Sequence, residues 1–307
     1  MVTEAISSDF LGRLEARGVS RRSFMKLCGS LAVAAGLSEL AAPRVARAIE
    51  NSVIGAEKGA LYPVIWIEGA SCTGCTESFA QADAPDPATV VLDMISLNYC
   101  ETLSAAAGWS MEEAKAQTIE AGNYILIYEG AVLEGWNGQA LRVANEPGTD
   151  HLIHAAEKAN AVVALGSCAV NGGWMGANPN SAGALGVQAY LKKAGISTPV
   201  VNVPGCPANP EWVEAVLVDA VLVGVLPELT KDNKPKVMFN QPIHDNCERR
   251  GHFENGEFVY AFGTKEEAMG YCLYPMGCRG PQTKANCGVT RWNHRRSWCV
   301  AAGGPCI

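Results

Sequence analysis

From Pro63 to Gly224 short runs rich in Val and Ile alternate with helical patterns, and nothing else in the 307 residues restricts the fold as much. Parallel strands buried on both faces read as continuous β-branched runs, and the helices that cross between them supply the interruptions. Strands are expected at 64–68, 90–96, 124–130, 161–166 and 199–203. Helices are expected near 76–82, 104–121, 150–159, 183–194 and 210–223, the last opening on Pro210, a favoured first-turn residue. The fold class is therefore α/β, a doubly wound parallel sheet. After "LPELTKDNKPK" the periodicity fades into Gly-, Pro- and Cys-rich sequence. That region has no evident apolar core and is expected to depend on bound ligands for its order.

Three segments follow: 1–48, 49–226 with a flavodoxin-like arrangement, and a smaller irregular domain at 227–307. The first reads as a leader, because "SRRSFMK" precedes the apolar run "LCGSLAVAAGLSELAA" and then "ARA" at Ala46 to Ala48. Arginine pair, apolar run and cleavage site in that order are a twin-arginine export signal, cut after Ala48. That route carries folded proteins, commonly with a cofactor already inserted in a compartment that keeps thiols reduced. The formal net charge is −7, and the leader holds seven basic against four acidic residues, so its loss leaves a more acidic chain. Such a surface argues against nucleic acid as a partner. The run "VEAVLVDAVLVGVL" is too short to cross a membrane and carries Glu214 and Asp219, so it reads as a buried helix.

Twelve cysteines are too many for packing alone. In an open α/β sheet, ligands gather beyond the carboxyl ends of the strands. Cys72 and Cys75 follow the first strand, Cys168 the fourth and Cys206 the fifth, so three loops deliver four thiols to one rim. Gly74, Gly166 and Gly205 beside them suit close backbone approach. Four thiolates hold either zinc or a 4Fe-4S cluster, and spacing does not separate the two. A second set comprises His244 and Cys247 in "HDNC" with Cys272 and Cys278 in "CLYPMGC". Three thiols and an imidazole are also a structural zinc composition. Cys287, Cys299 and Cys306 make a third group. Three centres in one exported chain point to a line of electron carriers. Of the remaining candidates, Glu77 and Glu129 read as solvated or helix-capping carboxylates, Cys100 as a bystander thiol after the second strand, and Cys28 as part of the leader. The basic stretch "RWNHRR", Arg291 to Arg296, reads as a solvated face or a patch for an acidic partner.

Taken in order, "SCTGCTES", "GSCA", "VPGCPxxP", "HxxC", "CLYxxGCxGP" and "NC...RWN...WC...GxPC" resemble the small subunit of exported nickel-iron hydrogenases from about Pro63 to the last residue. The resemblance implies an electron-transfer subunit, itself without nickel, paired with a large subunit that carries the nickel-iron centre where hydrogen is split. It implies that Cys72, Cys75, Cys168 and Cys206 ligate a proximal 4Fe-4S cluster. His244, Cys247, Cys272 and Cys278 would hold a distal 4Fe-4S cluster, from which electrons leave to a cytochrome, with Cys287 and Cys306 in a medial cluster. Where many members have proline after the tryptophan of the last motif, and so a 3Fe-4S centre, Cys299 stands here, as in nickel-iron-selenium members. The family usually places a further cysteine a few residues past 306, which implies that the sequence is truncated; a medial 4Fe-4S cluster is expected with that cysteine and a 3Fe-4S centre without it. The extra cysteines of oxygen-tolerant relatives would fall at Gly74 and Gly173, so an ordinary proximal cluster is expected. Amides of the Gly-rich loops and of the following helix N-terminus are expected to offset its negative charge. The expected site is the periplasm or outer face of the cytoplasmic membrane. Competing readings are an iron-sulfur protein of another exported redox complex, such as the related complex I relative, and a non-enzymatic zinc or disulfide protein. The complex I relative shares the flavodoxin-like part but not the His244-to-Cys306 region.

Overall fold

The computed structural model describes residues 6–16, 18–34, 42–43, 45–47, 49–50, 61–83, 85–223 and 226–307. The expected cut after Ala48 lies outside them. Among the described residues no helix is long and apolar enough to cross a membrane. The chain divides into two compact units, Met1–Lys234 and Pro235–Ile307.

The first unit is built on five parallel strands: β1 (Tyr62–Glu68), β2 (Ile95–Cys100), β3 (Ile125–Glu129), β4 (Ala161–Leu165) and β5 (Val200–Val203). Their order across the sheet is β2-β1-β3-β4-β5. The chain reverses its direction of winding between β1 and β3, which makes the gap beyond Glu68 and Glu129 the topological switch point of a flavodoxin-like sheet. Every residue of β3 and β4 is buried. Each fully buried Val, Ile or Leu there contributes about 1.5–3 kcal/mol by leaving water, so these two strands anchor the sheet.

One strand sits elsewhere than the sequence suggests. Of the run 90–96 only Ile95 and Ser96 are in a strand: Asp86 accepts from the amides of Ala88 and Thr89, both at 3.1 Å, with Pro87 in the first turn of a short helix. That helix continues as a π-turn over Val90–Met94, and Leu92 is 69% exposed. The strand takes up the next six residues, burying Ile95, Tyr99 and Cys100. Cys100 thus closes β2 instead of following it. The local cap outweighs the β-branched pattern.

Helices alternate with the strands. Before them lie α1 (Ser8–Ala16) and α2 (Arg21–Ala34); after them come α3 (Gly74–Phe79), α4 (Trp109–Ala121), α5 (Gly148–Glu157), α6 (Gly166–Asn171), α7 (Val187–Ala194) and α8 (Pro210–Leu217). Ahead of the sheet, Phe10, Phe24, Cys28, Ala32 and Val45 pack together, and the rings of Phe10 and Phe24 meet edge-on at 5.7 Å. Arg21 and Arg22 open α2 exposed. Asn209 caps α8 by accepting from the Glu211 amide at 3.0 Å, and Pro210 occupies its first turn as expected.

Glu214 on α8 and Asp219 in the π-turn Val218–Val223 are both buried. Burial pushes Glu214 up to about 8, reinforced by Glu211, Asp83 and Asp86, and burial alone pushes Asp219 up to about 7. A carboxyl whose pKa is raised on folding binds its proton more tightly in the folded chain. Its contribution is therefore intact below the unfolded value and is lost as pH rises towards the folded one. The thermal midpoint should fall between about pH 5 and pH 8 from these groups, and Glu214→Gln should flatten that slope. A melting curve in which the variant keeps the full slope would show that Glu214 is not the source.

The second unit has no named strand, only isolated bridges such as Pro242 to Lys284 and Phe258 to Cys272. Its helices are short: Lys236–Phe239, Ile243–Asn246, Arg250–Glu254, Lys265–Ala268, Tyr274–Met276 and Cys287–Thr290. Met238, Phe239, Ile243, Val259, Leu273, Trp298 and Val300 are buried. So this region does have an apolar interior, although a small one.

Candidate functional site

Beyond the switch point the chain leaves β1 through Ser71 to Thr73 and enters α3, with Cys72 exposed and Cys75 buried. Thr73 is in the left-handed region at φ 64°, which turns the chain sharply between the two cysteines. Cys168 lies in α6 after β4, and Cys206 follows β5. Two hydrogen bonds tie these latter loops together: Ser167 N donates to Gly205 O at 2.8 Å, and Gly205 N to Ser167 Oγ at 3.1 Å. Ser78 Oγ, on α3, donates to Ala208 O at 2.7 Å and joins the third loop to them. Gly166, at φ 84°, has room for no side chain, because an added Cβ would stand 2.5 Å from Cys75 Sγ.

The thiols face one another. Burial pushes Cys75 up to about 12, and Glu129, Cys168 and Cys72 add to the rise. Cys168 is raised first by burial, then by Cys206 and Cys72. Cys75 and Cys168, crowded this way, resist ionising unless a cation shares the site. Ala208 N points at Cys75 Sγ from 3.5 Å.

Glu129, the last residue of β3, is not solvated. It is 1% exposed and accepts four hydrogen bonds. Oε1 takes Ser71 Oγ at 2.9 Å and Cys75 N at 3.0 Å; Oε2 takes Thr76 N at 2.9 Å and Thr76 Oγ1 at 2.7 Å. The first-turn amides of α3, expected to face the ligand, are directed to this carboxylate instead. Glu77 is exposed. Cys100 is buried with Glu68 and Glu101 as its charged neighbours, and its amide donates to Ser104 Oγ at 2.9 Å.

In the second unit His244, Cys247, Cys272 and Cys278 line one cavity together with Ile243, Leu273 and Val300. Burial raises Cys247 and Cys272, and Cys278 adds to both. Two features here carry no sequence signal. Arg249 reaches the same cavity, held by Val300 O at 3.2 Å and Tyr271 O at 2.7 Å, and brings a fixed positive charge beside Cys272. The His244 ring meets Phe253 edge-on at 4.8 Å, and Phe253 in turn meets Tyr274 and Phe258. Cys287 is pushed up to about 12 by burial, with Cys306 and Cys299 as its charged neighbours, so the third group also converges. Of the basic stretch, Arg291 pairs with Glu248 at 2.9 Å.

The donor sets, four thiols in one and three thiols with an imidazole in the other, have the composition that an iron-sulfur cluster requires, one ligand to each iron.

Two family models match the chain. One, described as NADH ubiquinone oxidoreductase, 20 Kd subunit, spans residues 72–220; the other, for the C-terminal part of the NiFe/NiFeSe hydrogenase small subunit, spans 239–307. The chain is 40% identical over 293 residues to the uptake hydrogenase small subunit of Afipia carboxidovorans, with 95% of this chain and 77% of that one covered. It is 40% identical over 296 residues to the hydrogenase-2 small chain of Escherichia coli K12, with 95% and 77% covered. Among solved structures, a reduced, active form of the Ni-Fe-Se hydrogenase from Desulfomicrobium baculatum superposes with TM-score 0.74 at 32% identity, over 80% of this chain and 93% of that one. The first family match ends before the cavity of His244, and the hydrogenase match contains it.

Proposed function

The chain belongs to the small subunits of nickel-iron hydrogenases, the electron-transfer subunits of those enzymes, and from that premise we propose which residues carry the electrons and in what company. Cys72, Cys75, Cys168 and Cys206 hold a proximal 4Fe-4S cluster; His244, Cys247, Cys272 and Cys278 hold a distal one; Cys287, Cys299 and Cys306 hold the medial centre. The observation that carries this reading is the meeting of four thiols from three loops at the switch point of the sheet. Bound there, each cluster supplies reversible one-electron chemistry.

The chain's own residues do the rest. Glu129 fixes the loop that presents Cys72 and Cys75. Ile243, Leu273 and Val300 keep water from the distal ligands, and Arg249 offsets their negative charge. A neutral imidazole in place of one thiolate at His244 reduces the net charge and raises the potential. The partner is a large subunit bearing the nickel-iron centre. Export by the twin-arginine route places the pair in the periplasm or on the outer membrane face, where a cytochrome-type protein accepts the electrons. The arginine pair ahead of an apolar run supports that destination.

Iron and acid-labile sulfide analysis of anaerobically purified complex tests this directly: counting the one iron of the nickel-iron centre, about thirteen irons fit three 4Fe-4S clusters and about twelve fit two with one 3Fe-4S centre. Absence of sulfide would overturn the reading. Replacing His244→Cys should move the distal midpoint to a more negative potential in a redox titration followed by electron paramagnetic resonance. An unchanged midpoint would remove the imidazole from the ligand set.

A further inference from the structure

Cys306 stands between two donor sets that the sequence keeps apart. Its thiol has Cys287 and Cys299 for neighbours, as a medial ligand should, and Cys278 and Cys247 as well. Its main chain also meets Cys278. The Cys306 amide donates to Cys278 Sγ at 3.3 Å, and the Cys306 carbonyl accepts from the amide of Arg279, the residue after Cys278, at 2.7 Å. Two hydrogen bonds running in opposite directions fix the segment 305–307 against the segment 278–279. The pair is therefore built, and Cys306 is buried within it. Cys278 lines the cavity assigned to the distal centre, and its sulfur sits where an N–H bond dipole meets it.

A hydrogen bond to a ligand sulfur withdraws electron density from the thiolate, stabilises the reduced cluster and raises its potential. We propose that Cys306 serves both C-terminal centres: its thiol as a medial ligand, and its main-chain N–H as the donor that raises the distal potential through Cys278 Sγ. The proposal rests on the ligand assignment under Proposed function. Its consequence is that one residue bears on both neighbouring carriers, through its thiol at the medial centre and through its amide at the distal one. A side chain at 306 is dispensable for this second role, and the amide is not.

The test compares two variants in the intact complex, purified anaerobically. Cys306→Ala loses the thiol and keeps the N–H; Cys306→Pro loses both. Redox titration followed by electron paramagnetic resonance should give a more negative distal midpoint for Cys306→Pro than for Cys306→Ala. Equal midpoints overturn the proposal. A second measurement does not depend on proline being accommodated. Cys306→Ala labelled with 15N-alanine should show a 15N coupling to the reduced distal cluster in pulsed resonance spectra, and labelled wild type should not, since no alanine lines the distal cavity. Absence of that coupling also overturns it. Cys278→Ala separates the two layers of the argument: if it retains the distal signal, the ligand assignment fails, and the coupling fails with it for that reason and no other.

Discussion

Glu129→Ala should yield a protein that has lost about four irons, the content of one 4Fe-4S cluster, and about 5 kcal/mol of stability. The size follows from what the carboxylate does. Two amides and two hydroxyls end on it inside a site it shares with Cys75, where Cys75, Thr76 and Glu129 itself are all buried. Each buried donor left without an acceptor costs about 1–3 kcal/mol. Glu129→Gln distinguishes charge from shape. Each carboxylate oxygen accepts one main-chain N–H and one hydroxyl, so whichever way a Gln amide is turned its nitrogen opposes an N–H that cannot turn to accept, even if the hydroxyl does. The variant should therefore lose about 3 kcal/mol despite its matched size. Chemical denaturation and iron analysis of both variants decide the matter. Full iron content in Glu129→Ala would mean that the loop of Cys72 and Cys75 holds its form without this carboxylate.

How legible this residue is depends on which level is asked. The strand that ends at Glu129 is plain from "YILIYEG", and its position at the switch point follows from the alternation of elements. Its environment is not plain, because a carboxylate beside a Gly is ordinarily solvated, and the four donors that hold it come from residues more than fifty positions earlier. The cysteines are readable because their chemistry is rare and their loops are fixed by the sheet. Arg249 and Phe253 are not, since one arginine and one phenylalanine look alike whether they face solvent or the surroundings of His244. The displaced second strand has the same origin at shorter range. Val90 and Val91 favour a strand by type, but Asp86 and Pro87 start a helix first, and the local cap decides. The family resemblance supplies what spacing cannot, namely iron-sulfur chemistry in place of zinc.

Removing one charge far from any cysteine ligand should cost nearly as much as disturbing the proximal loop. Lys115 on α4 is buried, with its ammonium against Glu112 and His151 Nε2 and lying 4.6 Å from the centre of the Tyr99 ring. Tyr99 Oη donates to Glu112 Oε1 at 2.9 Å, so β2, α4 and α5 meet in one polar knot under the sheet. His151 is locked by it. With Nε2 accepting from the ammonium, the ring proton is assigned to Nδ1, which is buried and has no hydrogen-bond partner among the described residues. That unmet donor is tolerated only while the cation holds the other nitrogen. In Lys115→Met the Glu112 carboxylate keeps one donor and loses its counter-charge. Breaking a buried pair from one side costs about 3–5 kcal/mol, and the partial exposure of Glu112 places this case near the lower end. The thermal midpoint should drop by roughly 6–12 °C for a unit of this size. Pairing the change with Glu112→Leu removes the stranded charge as well, and should recover part of the loss. If Lys115→Met melts with wild type, the ammonium is not what joins α4 to α5, and the ring packing of Tyr99 against His151 at 5.9 Å bears that contact instead.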